Sequence, residues 1–399
     1  MRIKYYNWDI LEVIKKGRIG NHSRTITSLV MKQVKGIKQV QEKISHFQLG
    51  CLLFGFIAGF ESLFLTEAKL MKQDVWIANV FNFIAGITLL WIITYVQRQF
   101  PNHNLTEICD KLFGKWISKA FLCLYLLSNL ESVSGGFRAV SMFYTTVILP
   151  NTRSDYLILI YAACSTYAVY IGLGTLARTN LVIIPFFLIG FLATCLFIIP
   201  EVQTNPFLPP LQSSKENMVI GSMHLFTFTF SQMITFGFLM SRVENKNKIF
   251  SSGSLAILMS SLYLVMISYL TLSSLGFNYV ETSTYPFFST IQLVKLGEYL
   301  ERIEILLIGL WTVLNMVYII VMQYVFTLVA GHVFGISKMR PFVLVIGLLF
   351  FAHASKSFIR TADHFTYGTK IYTLSSLLPC IVFPLVLVVM TLIKKKRVQ

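Results

Sequence analysis

The sequence predicts an all-α polytopic membrane protein of about ten transmembrane helices, and three observations carry that expectation. Of the 399 residues, 55% are apolar and only 13% are charged, against about 25% charged in ordinary soluble domains. The mean hydropathy is +0.66. The apolar residues fall in continuous blocks, at 76–96, 181–200, 255–275 and 374–393 among others. Each is near the roughly 20 residues that cross hydrocarbon as a helix. A transmembrane β-barrel would instead alternate every second residue in segments of about ten.

The elements follow in order. Residues 1–43 are a basic tail with ten Lys and Arg against three acids, and the transmembrane domain covers 44–399. In the tail, Trp8, Ile10, Leu11 and Ile14 fit one helical face beside Lys15, Lys16 and Arg18. An interfacial helix on anionic membrane lipid and a disordered basic tail both fit. The first apolar span comes too late and runs too long for a cleaved signal peptide. The spans are expected at 48–66, 76–96, 120–149, 156–173, 181–200, 218–240, 255–275, 303–333, 341–354 and 371–393. The third and eighth are long enough to tilt or to extend beyond the bilayer. The ninth is short. Residues 102–119 read as an amphipathic inner stretch, with Asn104 as its cap and Glu107 three residues on. Residues 276–302 form the longest outer loop, with 296–302 starting the eighth helix early.

The formal charge of +16 would suggest nucleic acid in a soluble protein, but topology explains it here. Basic residues collect in the cytoplasmic loops of membrane proteins. With the N-terminus inside, 24 of the 34 Lys and Arg fall on inner segments and nine on outer ones, leaving Arg138 within a span. The bias predicts an even number of spans, both termini in the cytoplasm, and no nucleic-acid partner. Ten spans divide as five plus five, the pattern of inverted-repeat folds whose first and sixth spans are broken near the midplane. Gly50, Gly55 and Gly59 in span one, and Gly221 with Gly237 in span six, are candidate breaks. Gly55-x-x-x-Gly59 equally fits close helix packing.

An ionisable side chain inside a span costs roughly 2.5–3.5 kcal/mol on insertion scales, so it implies a function or a buried partner. Glu61 in span one, Glu131 and Arg138 in span three, and His224 in span six stand out. Glu131 and Arg138 are about two turns apart and share a face. Pairing that fixes helix register and a polar path to a ligand both fit. His224, near the outer end of its span, reads as interfacial. Span six also carries Thr227, Thr229, Ser231, Gln232 and Thr235. Single hydroxyls often bond back to their own helix, but a cluster can satisfy the freed backbone of a broken helix or hold a small polar ligand.

Six cysteines at 51, 109, 123, 164, 195 and 380 form no C-x-x-C pair and read as small core residues, without a disulfide or metal framework. Neither G-x-x-x-x-G-K-[ST], H-E-x-x-H nor G-x-S-x-G is present. The expectation is a non-enzyme without cofactors.

Several local patterns then converge. Ile44-Ser45-His46-Phe47-Gln48, Gln73-Asp74-Val75-Trp76, Phe100-Pro101, Leu149-Pro150-Asn151-Thr152, Glu301-Arg302-Ile303-Glu304 with Trp311, and Pro384 stand in order over about 44–397. In these the chain resembles the B subunits of bacterial spore germinant receptors, the endospore germination permeases, which are similar to amino-acid permeases of the amino acid–polyamine–organocation superfamily. The resemblance implies a LeuT-like fold and a small nutrient, such as an amino acid, bound at the midplane between spans one, three, six and eight. It also implies signalling to A-type and C-type (lipoprotein) partner subunits in the spore inner membrane. Departures fall at the expected site. Gly59-Phe60-Glu61 puts an acid where the family has glycine, Gln232-Met233-Ile234 replaces the G-x-E of span six, and Met240 replaces a proline. The candidate ligand-binding residues are Gly55, Gly59, Phe60, Glu61, Glu131, Arg138, Thr227, Ser231 and Gln232. Of these, Gly59, Glu61, Arg138, Thr227 and Ser231 are expected near one cavity. A proton-coupled amino-acid transporter, with Glu61 or Glu131 carrying the proton, is the alternative on the same fold.

Overall fold

A chain in hydrocarbon must satisfy its backbone N–H and C=O groups internally, and helices do so within one segment. A computed structural model describes residues 43–60, 63–203, 205–294, 304–336, 338–357 and 372–398. Residues 1–42 of the basic tail, where an interfacial helix and a disordered tail both fit, residues 296–302 and Glu61 lie outside the described residues. Among the described residues the one departure from helix and loop is an isolated parallel bridge between Ile44 and Val243.

Eight helices among the described residues are long and apolar enough to cross a membrane. The other two spans, one and six, are interrupted. Span one runs as His46–Phe60 and resumes as Thr66–Met71. Spans two to five are Val75–Gln99, Lys115–Phe143 with a π-helical turn Tyr144–Ile148, Ser154–Ile171 and Leu173–Ile198. Span six begins as Lys215–Leu225 and then changes geometry three times. Spans seven to ten are Ile249–Leu275, Glu304–Phe334, Met339–Lys356, and Thr373–Leu377 continued through a π turn into Phe383–Val398. Span nine, expected short, is an 18-residue helix. Its ends carry Met339, Arg340 and Lys356, which the apolar blocks had excluded.

Between spans two and three lies the amphipathic helix Leu105–Phe113, closed by a full capping box. The Asn104 side chain accepts from the Glu107 N–H at 2.9 Å, and the Glu107 carboxylate accepts from the Asn104 N–H at 3.2 Å. The loop after span seven holds two short helices, Phe277–Thr282 and Pro286–Ile291. Gly276 ends span seven at φ +75°, a conformation that glycine adopts without penalty. Asp74 explains the Gln73-Asp74-Val75-Trp76 motif. It is fully buried and accepts from the N–H groups of Leu211 at 2.6 Å and Ser213 at 2.7 Å. These charge-assisted bonds tie the segment before span six to the start of span two.

Small residues set how closely the spans approach. A Cβ on Gly59 would stand 2.5 Å from the Leu314 carbonyl oxygen of span eight, and one on Gly55 would meet Asn180 and Leu314 at 3.3 and 3.5 Å. The Gly55-x-x-x-Gly59 pair is therefore a packing face, and the interruption of span one follows Phe60. The same holds in span six. Gly221 lies against Met71, and Gly237 against Ile93 and Leu105, while the irregular geometry falls between them. Hydroxyls facing only apolar neighbours bond back along their own helices, as Thr94, Ser260, Ser268 and Thr391 do at 2.7–2.9 Å.

Gly59→Ala should destabilise the protein by about 1–3 kcal/mol or more through overpacking against the span-eight backbone. Gly309→Ala, where an added Cβ meets nothing within 4 Å, should be neutral or stabilising by up to about 1 kcal/mol. Thermal unfolding of the two variants in detergent checks the difference.

Candidate functional site

After Leu225, span six passes through a π-helical segment Phe226–Phe230, a 3-10 turn Ser231–Met233 and the short helix Ile234–Gly237. Each change of helix type leaves backbone groups without their regular partner. The run contains neither glycine nor proline between Phe226 and Phe236, so the break comes from what surrounds it. Ser231 supplies part of the repair, donating to the Thr227 carbonyl at 2.7 Å.

Gln232 supplies the rest of the anchoring. Its side chain is buried and held at both ends. The amide donates to the Tyr372 hydroxyl of span ten at 2.6 Å, and the Tyr318 hydroxyl of span eight donates to its carbonyl oxygen at 2.5 Å. Ser132 of span three bonds the same Tyr372 hydroxyl. One amide thus joins four spans. The carbonyl oxygen takes a phenol proton and the NH2 gives one of its own, so the orientation of the amide is fixed by its partners. Phe56 of span one packs on Tyr318 with ring centroids 4.8 Å apart, and Phe228 packs on Tyr372 at 4.9 Å. Asn315 of span eight donates to the Gly59 carbonyl at 3.3 Å, where span one ends its first helix. A second polar tier lies one turn further along span six. Tyr125 meets Thr235 at 2.9 Å, and Asn129 donates to Tyr125 and to the Met322 carbonyl, each at 3.2 Å.

The Thr227 and Thr229 hydroxyls are buried and have no hydrogen-bond partner in the structure. Leaving such a group unmet costs about 1–3 kcal/mol. They are spare donors and acceptors beside the Gln232 clamp, and they suit a small polar ligand or ordered water.

The expected site residues divide accordingly. Thr227, Ser231 and Gln232 share the interrupted segment of span six, and the Gly59 carbonyl accepts from Asn315, three residues before Tyr318 on span eight. Gly55 faces spans five and eight. The side chain of Phe60 and all of Glu61 lie outside the described residues. Glu131 neighbours Ser132 in sequence but reaches to His353 of span nine, 3.4 Å away. Arg138 is about 9 Å further along span three than Ser132 and donates to Ser154 at 3.3 Å. The two charged groups of span three therefore serve different neighbours and do not pair with each other. His224, expected to be interfacial, is buried with its ring 4.6 Å from Phe228.

Tyr318, Tyr372, Ser132 and Asn315 were missed in the sequence. Their signal is the cost of polar groups at membrane depth, and it is present in span eight, where Asn315 and Tyr318 stand three apart in a mostly apolar helix.

The fold defines a multi-pass membrane protein of five plus five spans whose first and sixth helices are interrupted around a buried polar tier. The family model described as "Spore germination protein" matches residues 43–359, and the chain belongs to that family. It is similar to spore germination protein KB of Bacillus subtilis (strain 168), with 24% identity over 89% of this chain and 96% of that one. Spore germination protein A2 of the same organism is 23% identical over 79% of this chain and 87% of its own length. Among solved structures, the nucleobase-cation-symport-1 family transporter Mhp1 aligns with a TM-score of 0.64 at 13% identity, covering 87% of this chain and 78% of that one. A Na+-coupled sialic acid symporter aligns at 0.65 and 10% identity, over 86% of this chain and 80% of its own. MhsT aligns at 0.60 and 10% identity, over 88% and 99%. These likenesses establish the LeuT-like fold.

Tyr318→Phe should cost about 1–3 kcal/mol, because the Gln232 carbonyl then stays buried and unmet. Added to Gln232→Leu, the same change should cost far less, so the two should be strongly non-additive in a double-mutant cycle of thermal unfolding.

Proposed function

We propose that this chain is the B-type membrane subunit of a spore germinant receptor. It binds a small nutrient, an amino acid in the first instance, beside the interrupted segment of span six and passes the event to A-type and C-type partner subunits. In this reading both termini are cytoplasmic and the membrane is the spore inner membrane. The observation that carries the reading is the Gln232 clamp, which ties the irregular part of span six to spans three, eight and ten. A ligand that competes for any of its hydrogen bonds, or that meets Thr227 and Thr229, changes how those spans are held together. It can shift a conformational equilibrium only by its differential affinity for the two states, and a clamp that is either closed or shared with ligand supplies that difference.

The candidate set for this site is Gly59, Phe60, Glu61, Thr227, Ser231 and Gln232, with Glu131, Arg138 and Gly55 further out. By the family resemblance Glu61 replaces a glycine, so a carboxylate gained there would offset the acid lost from span six.

A second reading, a proton-coupled amino-acid transporter, is favoured by one observation. The Glu131–His353 contact sits between spans three and nine, and Glu131 adjoins Ser132, which bonds the clamp. In proteoliposomes, concentrative amino-acid uptake that Glu61→Gln or Glu131→Gln abolishes would establish transport.

The receptor reading makes two expectations. Disrupting the gene in the parent spore-former should remove germination on at least one nutrient and leave the others intact. That nutrient should raise the thermal midpoint of the purified wild-type protein and leave that of Gln232→Leu unchanged. A panel of nutrients without any effect on either assay would defeat the reading.

A further inference from the structure

Spans one, five and seven leave an open groove of about 190 Å3 between them. Its walls include Phe47, Cys51 and Phe54 of span one, Leu188 of span five, and Leu255 and Met259 of span seven. At its floor the backbones of spans one and seven approach closely, since a Cβ on Gly50 would stand 3.0 Å from the Ser252 carbonyl oxygen. His46 and Ser252 bond across the same seam at 2.8 Å. Phe47 is 59% exposed and Leu255 56%, so the groove opens away from the bundle. From Ser252 to Met259 it extends about 10 Å along span seven. It lies within membrane-spanning helices, where the surrounding medium is lipid and the group that can enter an apolar slot is an acyl chain.

The mouth of the groove carries positive charge. Lys248, the cap residue of span seven, stands four residues before Ser252. Lys43 stands four residues before Phe47. Both are exposed. Lys246 is turned away to the Pro101 carbonyl, Arg178 of span five is turned to the Thr175 hydroxyl at 3.1 Å, and among the described residues Glu244 is an exposed acid at this end. An apolar slot with two exposed cations at its end matches a lipid with a negative headgroup better than a zwitterionic one.

We propose that this groove is a binding site for an anionic phospholipid, with one acyl chain between spans one, five and seven and the phosphodiester at Lys43 and Lys248. The bound lipid would brace the first half of span one against span seven. That half ends at Phe60, one residue past the Gly59 contact with span eight, so leaflet composition would reach the candidate ligand site through it. The site itself stands on the groove and its charges, independently of the germinant reading.

The test is the thermal midpoint of the purified full-length protein in detergent with added phosphatidylglycerol or phosphatidylcholine of identical chains. Phosphatidylglycerol should raise it by several degrees more. Lys43→Gln with Lys248→Gln should remove that excess, and Met259→Trp, which fills the groove, should remove it with the charges intact. The Met259→Trp arm separates this site from the basic tail, which would engage the headgroup alone. Equal shifts from the two lipids, or an excess that survives Met259→Trp, overturns the proposal. Should the double variant fail to fold, native mass spectrometry of the wild-type protein released from mixed-lipid nanodiscs decides. Retention of phosphatidylglycerol over phosphatidylcholine supports the site, and equal retention rejects it.

Discussion

The constraint on which the structure depends is the need to satisfy freed backbone and polar side chains where no water can do so. Span six abandons regular helix for about eight residues at membrane depth. In hydrocarbon each unmet group would cost several kcal/mol. The break is tolerated because Ser231 bonds back to Thr227 and because Gln232 is held by phenols from two other spans. The long spans around it act as the walls that position those phenols. Their close approach rests on small residues, above all Gly59, whose missing Cβ lets span one meet the backbone of span eight.

The described part of this centre is neutral. Amides, phenols and alcohols carry the network, and the ionisable groups of span three point elsewhere, Glu131 to His353 and Arg138 to Ser154. Neutral hydrogen bonds in a low dielectric are directional and gain from being connected, yet they carry no ion-sized desolvation cost. Such a network can exchange one partner for a ligand group with a modest change in energy. That suits a binding event that must be reversible and must alter helix contacts.

Much of the architecture was legible in the sequence. Continuous apolar blocks gave the spans, because a helix in lipid leaves little choice of composition. Asn104 and Glu107 announced the helix that they cap, since a capping box is local. The interruptions were harder. The glycines of spans one and six signalled a special backbone, and they are special, but as points of close approach. The irregular run of span six reads Phe-Thr-Phe-Thr-Phe, with no breaker in it, and its geometry follows from partners far away in sequence. Gln232 and Tyr372 are 140 residues apart, and nothing local pairs them. The burial of His224, whose ring packs on Phe228 one turn along the same span, is likewise not written in its distance from the span end.

Hydrogen exchange across residues 226–233 tests most directly whether this segment is where a ligand acts. With the effective nutrient bound, amides of that segment in the wild-type protein should exchange more slowly, while those of a distant span such as Ser154–Ile171 stay unchanged. Exchange in 226–233 that is identical with and without a bound nutrient would contradict a ligand site at the interrupted span.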